Sequence, residues 1–367
     1  MRLFNARVFV NGAFVRGGVD FDTEIRAVGE EVSGGRDAGG CYLIPGLIDL
    51  HTHGIDGADA GDGDAAGLLA MSRAYAARGI TSWCASTMTL GETELTAALR
   101  VLRDFTRPAG GARLLGVHLE GPFVSREKCG AQNPDFVHAP DIALFRRLNE
   151  ASGGLARLVT VAPEAPGAPA FIREASRDCA VALGHTAADY DTAMAAYAAG
   201  ATHTTHLYNA MPPLHHRAPG VIAAAFDAGA TVELIADGLH VHPAVVRLTQ
   251  RLFGDRLALI SDSLRCAGRP DGDYTLGGQP ITLRGGRATL RGSDTLAGSA
   301  LDLGELLRRA VGFGVPLAAA VTAATKTPAA ILGRQDVGTL ARGRKADFVL
   351  LNDDLKILSV FVDGREL

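Results

Sequence analysis

The sequence predicts an α/β fold, a (β/α)8 TIM-type barrel carrying a small β-sandwich domain built from both chain ends. Three observations lead there. The chain has 367 residues, more than one ordinary core holds and enough for a barrel of roughly 250 residues with a smaller companion. From Leu43 onward, short apolar runs alternate with polar or Gly-rich loops and Ala/Leu-rich segments of helical spacing, the pattern of parallel strands joined by crossover helices. The candidate strands are 43–50, 81–86, 113–119, 157–162, 180–184, 202–206, 232–236 and 257–261; they number eight, which closes a barrel.

The chain ends read differently. Residues 1–42 alternate apolar and polar stretches around turns such as Asn11-Gly12, and 346–351 and 357–362 read as strands separated by Asn352-Asp353-Asp354. We therefore expect 1–42 plus 336–367 to form the small domain and 43–335 the catalytic barrel. The stretch 273–291, with Gly277-Gly278 and Gly285-Gly286 between apolar alternations, reads as hairpins inserted after the eighth strand.

Composition narrows the function classes. No run approaches the roughly 18 uninterrupted apolar residues of a spanning helix, and Met1–Val10 lacks the blocks of a secretory signal. A cytoplasmic protein with no membrane partner is expected. The formal net charge of −4 and the lack of a Lys/Arg-rich run leave no footprint for nucleic acid. Cys41, Cys84, Cys129, Cys179 and Cys266 stand at wide spacing with no CxxC pair, so they read as reduced thiols, mostly buried. A small soluble substrate fits this balance.

Catalytic groups of such barrels sit at the C-terminal ends of the strands. Strand one ends in His51-Thr52-His53, strand three in His118-Leu119-Glu120, strand five in Gly184-His185, strand six in Thr205-His206, and strand eight in Ser261-Asp262. Taken singly each has an ordinary reading: a pair of histidines flanking a loop, a helix-start carboxylate, hydrogen-bonded structural histidines, a turn aspartate. Together they bring imidazoles and carboxylates to one open rim, the donor set of a catalytic Zn²⁺-type ion. Such an ion would lower the pKa of water toward neutrality and polarise a carbonyl, which points to hydrolysis. Asp262, at the same rim, is the candidate general base.

The motifs PGLIDLHTHG, HLEGPF, GHTAADY, THLYNAMPP, ADGLHVHP and LAGSALDL, in this order and over nearly the whole chain, resemble those of the N-acetylglucosamine-6-phosphate deacetylase family of the amidohydrolase superfamily. The resemblance implies hydrolysis of an N-acetylated amino-sugar phosphate. It also implies a principal divalent ion on Glu120, His185 and His206, with Asp262 as base. Some members have Gln and Asn in place of the HxH pair and use one metal; this chain keeps His51 and His53, so a second ion is open. Zn²⁺ is the expected metal, with Fe²⁺ or another divalent ion as alternatives.

For substrate the resemblance implies Asn209, Ala210, Arg217, His240, Leu296, Ala297 and Gly298. It also implies a homodimer in which Arg217 reaches the neighbouring active site. The planar fork of Arg217 suits a phosphate on its own chemistry. The chain departs from the family pattern at Lys128-Cys129-Gly130-Ala131-Gln132: Gln132 stands where members commonly carry a substrate-binding histidine, and Ala131 precedes it. Alternatives are an amidohydrolase acting on N-acetylgalactosamine 6-phosphate or on an N-acyl amino acid, and an inactive sugar-phosphate sensor. Cyclic amidases of this type bridge their metals with a carboxylated lysine ending strand four, and Lys128, Lys326, Lys345 and Lys356 all lie elsewhere.

Overall fold

The structure, a computed structural model, describes residues 1–367. Eight parallel strands form the central sheet: Leu47–Thr52, Ile80–Thr87, Arg113–Leu119, Ala156–Val161, Ala180–Leu183, His203–Thr204, Thr231–Leu234 and Leu257–Leu259, each paired with the next. The first and eighth strands meet through backbone bonds from Asp262 N to His51 O and from His53 N to Ser263 O, both 2.9 Å. The expected barrel is therefore present and nearly closed. Its strands are buried on both faces, which is why they read as continuous apolar runs. Ile48, Leu50, Cys84, Leu158, Ile235 and Ile260 fill the interior, while the outward faces pack under the helices in the main core.

The predicted strand 43–50 divides at Gly46. Tyr42–Pro45 pairs antiparallel with Phe348–Leu351 and parallel with Arg2–Val10, and only Leu47–Thr52 belongs to the barrel. A Cβ on Gly46 would lie 2.1 Å from Thr81 Oγ1, so glycine lets the chain pass from one sheet to the other against strand two. The small sheet also contains Ala13–Phe21, Ile25–Gly29 and Ile357–Val362. It curls until Phe21 meets Phe348 and Phe361 at ring separations of 4.9 and 5.5 Å, enclosing its own apolar core, as a sandwich does. Its other face, through Ile44, Val349, Leu351 and Val360, joins the barrel core.

After strand eight, Gly272–Leu276, Gln279–Arg284 and Arg287–Leu290 form the expected hairpins as a three-stranded antiparallel sheet. Leu276, Ile281 and Leu283 pack there with Leu264 and Ala297 beside the rim. No helix is long and apolar enough to cross a membrane. The five cysteines are unbridged, but only Cys84 and Cys266 are fully buried; Cys41, Cys129 and Cys179 are half-buried, against the expectation for most of them.

Candidate active site

The strand ends deliver their side chains to one centre. Glu120 Oε1 lies 2.9 Å from His206 Nε2 and 3.2 Å from His185 Nε2, and those two nitrogens are 3.0 Å apart. The other oxygen of the same carboxylate, Oε2, is 3.2 Å from His53 Nε2, and His51 Nε2 lies 3.4 Å from Oε1. Asp262 faces this group from strand eight, with Oδ1 3.3 Å from His53 Nε2 and 3.6 Å from His51 Nε2. All six side chains are at least nine-tenths buried except at the cleft mouth, where Asp262 is 11% exposed.

Local backbone geometry aims them. His185, His206 and Asp262 have φ of +46°, +27° and +48°, a left-handed conformation that side-chain-bearing residues seldom adopt. It turns the chain sharply just past the end of each strand, where the side chain reaches the barrel mouth. Asp262 is pinned by its N–H to His51 O and by Ser299 N donating to its carbonyl at 2.7 Å. Gly298, at φ +57°, lets that segment approach: a Cβ there would sit 2.7 Å from Asp262 O.

The donor set fits a divalent cation. His185 Nδ1 faces the Lys128 carbonyl at 2.9 Å and must carry its hydrogen there, so Nε2 turns a lone pair toward His206 and Glu120. His51 Nδ1 faces Glu233 Oε2 at 2.8 Å, and its Nε2 has no hydrogen-bond partner in the protein. Converging lone pairs and carboxylate oxygens are what a cation satisfies and a hydrogen-bond network does not. The field agrees: burial opposes charge on His51, yet Glu233, Glu120 and Asp262 lift its pKa well above the imidazole range. His53 rises to about 9 against the same burial, through Asp262 and Glu120. Positive charge is thus stabilised here. Glu120–His185–His206 and His51–His53–Glu120 each place three ligand atoms within 4.8 Å of one another.

A cleft of about 370 Å³ opens over this centre. Of the residues expected to touch substrate, Ala131, Gln132, Asn209, Ala210, His240, Leu296 and Gly298 line it. Ala297 does not: it is fully buried behind the wall in the small apolar cluster. Arg217 does not either; it is exposed on its loop, its guanidinium 2.8 Å from His216 Nε2. Asn209 donates its side-chain amide to the His206 and Leu207 carbonyls at 3.2 and 3.3 Å. His242, in the same segment as His240, is exposed and caps the helix Pro243–Phe253.

Gln132 lines the cleft and is also bonded to the centre behind it. Its Nε2 donates to Glu120 Oε2 at 2.7 Å and its Oε1 accepts from Thr89 N at 2.6 Å, one bond at each end of the amide within the protein. It holds the carboxylate from behind and ties its loop to the end of strand two. Gln132→Ala is therefore expected to lower kcat about tenfold, the loss of one hydrogen bond of about 1.4 kcal/mol to a charged group. KM should stay nearly constant. Steady-state kinetics check it, and a rise in KM at constant kcat would return Gln132 to the substrate. Cys129, in the same loop, makes no side-chain bond to the centre, and Cys129→Ser should remain active.

Two buried carboxylates escaped the sequence reading. Asp237 Oδ2 accepts from His240 Nδ1 at 2.7 Å, while its Oδ1 takes the N–H groups of Leu239 and His240 at 2.8 Å each. That fixes the His240 ring with Nε2 toward the cleft. Burial would raise the Asp237 pKa, but His240 and these donors hold it below its ordinary value. Its three-residue spacing from His240 was a usable signal. Glu233, an acid within the apolar run Val232–Ala236, signalled only that it must have partners.

A rim of imidazoles and carboxylates over a parallel barrel defines a metal-centred hydrolase of the barrel class, and residues 42–367 match the Amidohydrolase family model. The chain belongs to the amidohydrolase family. Among its relatives, the N-acetylglucosamine-6-phosphate deacetylase of Bacillus subtilis (strain 168) is 39% identical over 332 residues, covering 88% of this chain and 84% of that one. The N-acetylgalactosamine-6-phosphate deacetylase of Escherichia coli O157:H7 is 38% identical, covering 88% and 87%. In structure, the chain superposes with a TM-score of 0.95 and 35% identity on N-acetyl-D-glucosamine-6-phosphate deacetylase from Mycobacterium smegmatis. That structure is an aspartate-to-alanine variant in complex with N-acetyl-D-glucosamine-6-phosphate, and the match covers 100% of this chain and 98% of that one.

Proposed function

We propose that the protein hydrolyses the acetamide of N-acetyl-D-glucosamine 6-phosphate to D-glucosamine 6-phosphate and acetate, a step of amino-sugar breakdown in the cytoplasm. The observation that carries this is the convergence of the His185 and His206 Nε2 atoms on Glu120 Oε1 beneath an open cleft, with the Asp262 carboxylate beside it, 3.3 Å from His53 Nε2. Glu120, His185 and His206 would hold one divalent ion and His51 with His53 a second; the imidazole–carboxylate donor set suits Zn²⁺, and Fe²⁺ is the alternative. When bound, such an ion supplies Lewis acidity to the amide carbonyl and lowers the pKa of water.

The chain's own groups do the rest. Burial disfavours charge on Asp262, but positive charge at the rim, on His51 and His53 when they hold no ion and on the ion when they do, keeps its carboxyl pKa below the ordinary value and the group ionised. It takes a proton from the attacking water and returns it to the departing amine. Asp237 holds His240 so that Nε2 can donate to the sugar or its phosphate. Leu264, Leu276 and Leu296 close the side of the cleft and limit its water.

The test is acetate release from N-acetylated hexosamines with and without a 6-phosphate. N-acetylglucosamine 6-phosphate should give the highest kcat/KM, and removing the phosphate should cost about 10- to 100-fold, the scale of one or two charged hydrogen bonds. The N-acetylgalactosamine relative supports a second reading, in which the galactose epimer is preferred; the same panel decides between them. Hydrolysis confined to N-acyl amino acids would refute both.

Arg217, exposed and outside the lining of its own cleft, would serve the phosphate of a neighbouring subunit in a homodimer. Arg217→Ala should weaken use of the phosphorylated sugar about tenfold or more and leave the free sugar nearly unaffected. Equal losses on both substrates would remove the phosphate role. A fully active monomer in sedimentation would remove the shared site.

A further inference from the structure

We propose that Glu233 is a positioning residue that orients His51 toward the second ion, a role that rests on the two-ion reading of the rim. Glu233 lies on the seventh barrel strand, wholly buried beneath the ligand cluster. Its Oε2 accepts from His51 Nδ1 at 2.8 Å and from His206 N at 3.0 Å, and its Oε1 lies 3.1 Å from His203 Nε2. One carboxylate thus ties together strand one and strand six, which supply a ligand to each candidate ion.

The chemistry of a carboxylate makes this directional. An ionised carboxylate only accepts, so the hydrogen of His51 must sit on Nδ1, and Nε2 is left to the cleft side. Its nearest groups there are Glu120 Oε1 at 3.4 Å and Asp262 Oδ1 at 3.6 Å. A carboxylate behind an imidazole ligand fixes the ring and strengthens the nitrogen facing the metal, and loss of such a partner typically weakens metal binding about 10- to 100-fold.

By distance alone His51, His118 and Glu233 could themselves hold an ion. Their existing bonds argue otherwise. Glu233 already receives three groups, and His118 Nε2 is 2.8 Å from Thr160 Oγ1. All three side chains have no exposed surface through which an ion could enter. On the far side, His203 Nδ1 meets Thr231 Oγ1 at 2.7 Å, extending the support to the strand that carries Glu233.

Glu233→Gln is the informative variant. Its carbonyl can still accept from His206 N and His51 Nδ1 while its amide faces His203, whose ring can shift its hydrogen to Thr231, so the fold is preserved and the charge is lost. Glu233→Ala removes the acceptor altogether. Both are titrated with Zn²⁺ and with Co²⁺, bound ions are counted by plasma mass spectrometry, and the visible spectrum of the cobalt protein is followed. The expected result is an unchanged first equivalent and a second bound about 10-fold or more weakly, with loss of the absorption that the second cobalt contributes. Adding Glu233→Gln to His51→Ala should leave the remaining ion's affinity as it is in His51→Ala alone.

Wild-type uptake of both ions in Glu233→Gln and Glu233→Ala would overturn the proposal. So would a lowered affinity of the remaining ion when Glu233→Gln is added to His51→Ala, which would mean that Glu233 does not act through His51. A third equivalent that disappears with Glu233 would make it a ligand instead. If the wild-type protein bound one equivalent only, the two-ion reading itself would fall.

Discussion

Asp262→Asn should lower turnover by roughly two orders of magnitude or more while substrate still binds. The amide has the shape of the carboxylate, and the bonds that set the Asp262 backbone, to His51 and from Ser299, involve no side-chain atom. What is lost is the proton acceptor. On this reading the acceptor is available because positive charge at the rim, beside His51 and His53, holds the carboxyl ionised against its burial. Stopped-time acetate assays with equilibrium binding of the substrate separate the two effects. Turnover near the native value in this variant would place the base elsewhere on the rim.

Removal of divalent ions should have an effect of comparable size. Lewis-acid assistance contributes several kcal/mol to such a hydrolysis, and each ~1.4 kcal/mol is a factor of ten, so dialysis against a chelator should reduce activity by about a hundredfold or more. Zinc should restore it. Native protein is expected to carry one or two ions per chain, and His51→Ala/His53→Ala to keep one on Glu120, His185 and His206. A stripped protein with full activity would sink the mechanism, and unchanged stoichiometry in the double variant would sink the second site.

The barrel was legible because strands buried on both faces leave uninterrupted apolar runs, and each predicted run overlaps an observed strand. The same property hid the junction at Gly46, where one apolar run serves two sheets without a turn between them. His51, His53, Glu120, His185, His206 and Asp262 were legible because each ends a strand, and strand ends share a rim whatever the loops do. Positions decided by tertiary pairing were not. Gln132 bonds to Thr89, 43 residues away, and Glu233 to His51, 182 residues away. No local pattern announces such partners. Arg217 is exposed and absent from the lining of its own cleft, so a role for it through a neighbouring subunit is not legible in one chain.

The central claim, that one imidazole–carboxylate rim at the barrel mouth holds the ion that serves catalysis, is tested most directly by anomalous diffraction at the zinc absorption edge from crystals of the zinc-loaded protein. The account predicts a strong peak about 2.0–2.2 Å from a Glu120 oxygen and from the Nε2 atoms of His185 and His206. An ion found only at other residues, in protein that hydrolyses the sugar phosphate, would contradict it.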